Sequence, residues 1–128
     1  MSGALEGVRI IDFSRVLAGP YATMLLADLG AEVVKVERPG AGDDTRAWGP
    51  PWVGEQSTYF AAVNRNKRSV ALDLTTADGR DAARDLVRSA DVVVQNLRPG
   101  GMARLGLGPE LLVVVGRAGL TQPGLGNP

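Results

Sequence analysis

The sequence predicts an α/β protein with an open parallel sheet, and three observations lead there. Short β-branched or apolar runs recur at residues 8–13 (VRIIDF), 33–36, 70–74 and 92–94. The segments between the first two runs and between the last two carry apolar residues at helical spacing. Val92, Val93 and Val94 are uninterrupted, the pattern of a strand covered on both faces. Strand, helix and strand in alternation give βαβ units and a Rossmann-like open parallel sheet with flanking helices.

Each element has its own local signal. The first strand, 8–13, is bounded by Gly7 and Ser14. Pro20 suits the first turn of a helix, where its missing N–H is not needed. Met24, Leu25 and Leu29 continue that helix, and Gly30 is placed as its C′ residue. The strand 33–36 is ended by Glu37-Arg38-Pro39-Gly40. Residues 39–58 (PGAGDDTRAWGPPWVGEQST) read as an ordered excursion loop, since loops of this length are usually functional or mobile. In 70–74, Val70, Leu72 and Leu74 share one strand face. Thr75 and Asp78 have capping-box spacing, opening a helix to about Ser89. Ala82, Ala83, Leu86, Val87 and Ala90 form its apolar face, and Arg80, Asp81, Arg84, Asp85 and Arg88 a salt-paired outer one.

Composition narrows the function. The 128 residues suffice for one domain, which at this size buries roughly two-thirds of its unfolded surface. Fourteen Lys plus Arg balance fourteen Asp plus Glu, so bulk attraction to nucleic acid or an anionic membrane is not expected. With no cysteine and no histidine, thiol nucleophiles, Ser-His-Asp catalysis and Cys- or His-based metal sites are excluded. No basic leader precedes an apolar stretch, and no apolar run is long enough to span a bilayer, so the expected location is cytoplasmic.

Parallel strands gather the segments that follow them along one carboxyl edge, where ligands of open α/β sheets bind. Here those segments contain Arg15, Arg38 and Arg98, with glycine and proline in two of them. Several guanidiniums on one edge point to phosphate groups. Residues 64–74 (NRNKRSVALDL) add basic and amide side chains, as either an anion site or a solvated turn. Glu37 stands where dinucleotide folds place a ribose carboxylate, while Arg38 suits a ribose carrying its own phosphate, as in NADP or coenzyme A; a Glu-Arg surface pair is the plain alternative. Neither G-x-G-x-x-G nor a P-loop is present.

The stretches LEGVRIIDFSRVLAGPYATMLLADLGAEVVKVERPGAGDDTR, YFAAVNRNKRSVALDLTTADGR and ADVVVQNLRPGGMARLGLG closely resemble the N-terminal part of the class III CoA-transferases, a family that includes formyl-CoA and carnitine CoA-transferases and α-methylacyl-CoA racemases. The resemblance covers roughly residues 5–111. It implies a truncated family domain, with residues 1–112 as the N-terminal CoA-binding part and 113–128 as a divergent, disordered tail. It also implies coenzyme A or an acyl-CoA thioester as ligand, with no metal. By resemblance, Val16 and Leu17 lie in the first CoA-contacting loop and Arg38 meets the adenosine-phosphate end. Leu72 and Thr75 lie beside the nucleotide, Asn96, Leu97 and Arg98 form a further loop, and Arg104 is another basic contact. The NRNKRS stretch would line the same edge.

In the family an aspartate forms the covalent intermediate. None of this chain's aspartates stands at the matching position, so no catalytic residue is expected; Asp12 and Asp91 read as structural. Asp43 and Asp44, in a loop taken as mobile, are the only substitutes. The racemase variant needs a histidine. The family has Glu and Phe where this chain has Gln95 and Leu97, and its members are several times longer and form interlocked homodimers. LLVVVGRAGLTQPGLGNP does not match their continuation; 111–115 would be a helix remnant or short strand. The expectation is therefore a CoA-binding segment of a CoA-transferase with little or no activity alone. The alternatives are a non-enzymatic CoA or dinucleotide module and, weakened by the missing glycine fingerprint, an NADP oxidoreductase.

Overall fold

The computed structural model describes residues 2–108. The expected element at 111–115 and the tail at 113–128 lie outside the described residues. Four strands, β1 (Arg9–Asp12), β2 (Glu32–Glu37), β5 (Lys67–Ala71) and β6 (Val92–Val94), form one parallel sheet in the order β5-β2-β1-β6. The expected α/β class and parallel sheet are present. Helices α1 (Ala18–Asp28) and α3 (Ala77–Arg88) make two of the three crossovers, the segment with short α2 (Thr58–Asn64) makes the one from β2 to β5, and α4 (Gly101–Arg104) follows β6. No helix among the described residues is long and apolar enough to cross a membrane.

Strand side chains alternate between faces, which gives the sheet two cores. Ile10 and Val33 pack with Ala27 and Ala31 on the α1 side. Ile11, Val34 and Val36 pack with Ala83 and Val87 of α3 and Met102 of α4 on the other. Each fully buried aliphatic side chain contributes roughly 1.5–3 kcal/mol. The outer face of α3 carries the expected pairs, Arg84–Asp81 and Arg88–Asp85. Gly30 has φ +104°, the left-handed conformation that the C′ position after α1 requires.

Four local expectations are corrected. The third sheet strand ends at Ala71 rather than reaching Leu74. Leu72 N–H still bonds to the Glu37 carbonyl at 2.9 Å, but the Asp73 carboxylate then accepts from Thr75 N–H at 3.0 Å and turns the chain. Leu72 and Leu74 keep their inward side and pack on the α3 core. Because the Thr75 hydroxyl is bonded to Asp73, Thr76 caps α3 instead, accepting from Gly79 N–H at 3.1 Å. A Cβ on Gly79 would sit 1.8 Å from the Asp73 carbonyl oxygen, so only glycine lets turn and helix pack this closely.

Within 39–58, Asp44–Ala47 is a 3-10 turn, and β3 (Trp52–Val53) pairs with β4 (Gln56–Ser57). Helix α2 follows, with Ser57 as its cap, where no helix was expected. Finally, β6 pairs with β1 alone among the described strands, and its three valines are half-buried rather than enclosed.

Candidate ligand-binding site

At the carboxyl edge a cavity of about 210 Å³ opens over the ends of β1, β2 and β5. Phe13, Val36, Leu72, Leu74, Leu97 and Leu105 supply its apolar wall. Arg15, Arg38, Thr75, Asp73, Glu37 and Asp43 bring polar atoms to it, with Lys35 at its base.

Beneath lies a buried polar layer. Asp12, fully buried at the end of β1, accepts from Ser14 N–H at 2.8 Å, from the Ser14 hydroxyl and from Thr23 Oγ1 at 2.6 Å. Lys67 Nζ stands 3.3 Å from the same carboxylate and donates to the Pro20 carbonyl at 2.9 Å and to Asn64 Oδ1 at 3.0 Å. Burial pushes its pKa down to about 8, with Asp12 restoring only part of the loss. Asp12 and Asp91, which accepts from Arg9 N–H at 2.8 Å, have the structural roles expected of them.

A second buried pair joins two walls of the cavity. Lys35 Nζ sits 2.9 Å from Asp43 Oδ2 and donates to the Ser14 carbonyl at 2.9 Å. Asp43 also accepts from Val16 N–H at 3.3 Å and, through Oδ1, from Thr45 N–H at 3.0 Å. Burial opposes its ionisation, but Lys35 and Thr45 outweigh that and hold the carboxyl below its ordinary value. Asp43 is thus an enclosed structural anchor, not a group in a mobile loop.

Glu37 is similarly committed. It receives two bonds from Arg46 at 2.7 and 2.8 Å, one from Asp43 N–H at 3.0 Å and one from Ser69 Oγ at 3.1 Å. Burial again works against the charge, and the Arg46 guanidinium overcomes it, keeping the pKa low. The suggested ribose carboxylate is therefore saturated by the protein, and its partner is Arg46 rather than the neighbouring Arg38.

The loop after β1 is held at three consecutive residues. Lys35 binds Ser14 O and Asp43 accepts from Val16 N–H. Between them, Asn96 accepts from Arg15 N–H at 3.0 Å and donates to the Arg15 carbonyl at 2.7 Å. Val16 has φ +74°, a strained conformation for a β-branched residue that these contacts sustain.

Of the expected ligand residues, Arg38, Leu72, Thr75 and Leu97 line the cavity. Val16, Leu17, Asn96, Arg98 and Arg104 are outside its lining, with the first three on the two loops joined beside it. Among the described residues, Arg104 Nη2 reaches only the Pro99 carbonyl, at 3.4 Å. Arg38 bonds to the Gly42 carbonyl at 3.0 Å and pairs with Asp44. Phe13 and Leu105 belong to the lining without having been singled out, and Arg15, one of the three strand-end arginines named from the sequence, lines it too.

The basic stretch at 64–68 is explained differently from a ligand-edge lining. Arg65 and Asn66 bind Asp28 at the end of α1, at 2.7 and 2.9 Å. Lys67 enters the core, and Arg68 lies 3.5 Å from Glu32. These charges mainly fasten the fold.

A parallel sheet with an arginine-bearing cavity at its carboxyl edge places the domain among the open α/β sheets, whose ligand sites lie at that edge. The family described as CoA-transferase family III matches residues 5–115, and the chain belongs to that family. The succinyl-CoA:glutarate CoA-transferase of Mus musculus is 59% identical over 106 residues, covering 83% of this chain and 24% of that protein. The succinate–glutarate CoA-transferase of Agrobacterium fabrum is 52% identical over 117 residues, 87% of this chain and 29% of its own length. The crystal structure of a CAIB/BAIF family protein from Brucella suis superposes with a TM-score of 0.84 at 45% identity, over 90% of this chain and 31% of that one. The chain thus spans about a quarter of the length of the curated relatives it matches.

Proposed function

We propose that residues 2–108 form the part of an acyl-CoA:carboxylate CoA-transferase that binds the CoA moiety of a thioester. The observation that supports this reading is the cavity at the carboxyl edge, where Arg15 and Arg38 stand above an apolar wall of Leu72, Leu74 and Leu97. Phosphate oxygens suit the guanidiniums, and the adenosine and pantetheine parts suit the wall.

Transfer of CoA needs a carboxylate that attacks the thioester carbonyl carbon, forms a mixed anhydride and expels the CoA thiolate. The carboxylates of the lining are poorly suited to this. Glu37 and Asp43 are enclosed by Arg46 and Lys35, and Asp73 holds the turn before α3. In our reading this segment binds and orients, and the nucleophile is not among residues 2–108. After incubation with labelled acyl-CoA and hydroxylamine trapping, mass spectrometry should find no modified carboxylate in this span; one found there with turnover would refute the assignment.

Calorimetric titration tests the binding half. CoA should bind, and dephospho-CoA should bind more weakly, with Arg38 facing the adenosine phosphate. Removing one charge-assisted contact should weaken CoA about tenfold or more in Arg38→Ala. Equal affinities for the two ligands would remove the phosphate from Arg38, and no binding of either would refute the reading.

A further inference from the structure

We infer that Asp43, with Lys35 as its buried counter-ion, is a positioning residue of this cavity that fixes the two arginine-bearing segments against each other. The inference rests on the CoA-binding reading and adds a role which that reading does not assign. Asp43 stands between the two residues that hold Arg38, Gly42 through its carbonyl and Asp44 through its carboxylate. Its own carboxylate crosses to the loop after β1 and accepts from Val16 N–H at 3.3 Å. Lys35 bridges from Asp43 to the Ser14 carbonyl, 2.9 Å from each. Arg15 is the residue between Ser14 and Val16. One buried pair therefore sets the main chain beneath both guanidiniums of the lining.

Asp43 does not act by touching the ligand. Its side chain has no exposure, and both oxygens are occupied. Oδ2 accepts from Lys35 and Val16, and Oδ1 from the Thr45 N–H at 3.0 Å and the Thr45 hydroxyl at 2.9 Å. An apolar pair of similar volume could fill the same space at comparable stability, since buried ion pairs often add none. It could not hold the Val16 N–H or the Ser14 carbonyl. Val16 is at φ +74°, where a β-branched residue is strained and stays only if its surroundings impose it. Without Asp43 the loop relaxes toward negative φ, and Arg15 loses its place over the cavity. A binding conformation populated about a tenth of the time binds about tenfold more weakly.

Calorimetry with CoA and amide exchange at Val16, both on the full chain, test this. In the double variant Lys35→Met, Asp43→Leu, CoA should bind about tenfold or more weakly while the melting temperature holds within a few degrees. The Val16 amide should lose its protection in the same variant. A purely structural pair would lower the melting temperature and leave the affinity of the folded fraction unchanged. CoA affinity within about twofold of the unsubstituted chain therefore overturns the inference and leaves the binding reading intact. Weaker binding with the Val16 amide still protected also overturns it, since the effect would not run through the loop. If the double variant does not fold, the unsubstituted chain decides. A Val16 amide already slow to exchange without CoA supports positioning, whereas one that exchanges freely and slows only with CoA overturns it. An unsubstituted chain that binds no CoA overturns the inference together with the binding reading.

Discussion

Beneath the cavity, Lys35 and Lys67 have side chains only 2% exposed, and each faces a carboxylate with essentially no exposure, Asp43 and Asp12. At the rim, Arg38 is 53% exposed against Asp44 at 47%, and the Arg15 guanidinium has no hydrogen bond or ion pair among the described residues. The same two signs of charge meet in both regions, under different solvation. A buried ion must be matched and hydrogen-bonded, or its desolvation exceeds what the fold can offset. A rim ion is stabilised by water, so its internal partner contributes little and a ligand can replace it. The buried layer is therefore architecture, and the rim is where recognition can occur.

Breaking the buried side should have the largest effect. Lys67→Met removes the counter-ion of Asp12 and leaves a carboxylate in the core with only the Ser14 and Thr23 donors. Uncoupling one partner of a buried pair costs on the order of 3–5 kcal/mol. Urea unfolding should show that loss at neutral pH. A change below about 1 kcal/mol would mean that Lys67 is not the essential partner.

The pH dependence of the same residue gives a smaller effect with a definite sign. The folded pKa of Lys67 is lowered from 10.5 to about 8, so the unfolded chain binds more protons between those values. Stability then carries a contribution that rises with pH across that window, with a slope of at most about 1.4 kcal/mol per pH unit. Below pH 8 the charged side chain pays its full desolvation cost. The 13C resonance of the Lys67 ε-carbon should titrate near pH 8 in the folded protein; a midpoint above 10 would remove the effect. At the acid end the slope has the same sign. Glu37 and Asp43, held low by Arg46 and Lys35 against burial, contribute stability that is lost as pH falls below the ordinary carboxylate range.

The sheet, the two main crossovers and the paired outer face of α3 were legible because period-2 and period-3.6 patterns are set by burial along one element. What was not legible depends on choices between neighbours. Thr75 and Thr76 are chemically equivalent as caps, and the choice falls to Asp73, which takes the hydroxyl of Thr75. Lys67 and Arg68 are adjacent cations, yet one is enclosed and the other 80% exposed on its side chain. A local pattern cannot say which of two adjacent cations will find Asp12, 55 residues away from Lys67 in sequence. The edge position of the site was readable from strand direction. The commitment of Glu37 to Arg46, and of Asn96 to Arg15, required the folded chain. Thr76→Ala should cost about 1 kcal/mol through loss of the cap, measurable as a lower melting temperature, whereas Thr75→Ala should cost less.

The smallest stability effect is expected at the rim. Asp44→Ala removes the partner of Arg38, but both side chains are about half exposed, and such pairs contribute roughly 0–1 kcal/mol. The unfolding midpoint should hardly move. Ligand binding should respond instead: Asp44 occupies part of the guanidinium that a phosphate would use, and its charge repels the phosphate as well. Arg38 would remain oriented by the Gly42 carbonyl at 3.0 Å, so the freed donors would still be aimed. CoA affinity should therefore rise severalfold in Asp44→Ala, most clearly at low salt, where screening is weakest. A loss of affinity at unchanged stability would give Asp44 the opposite role, that of the group that holds Arg38 in its binding pose.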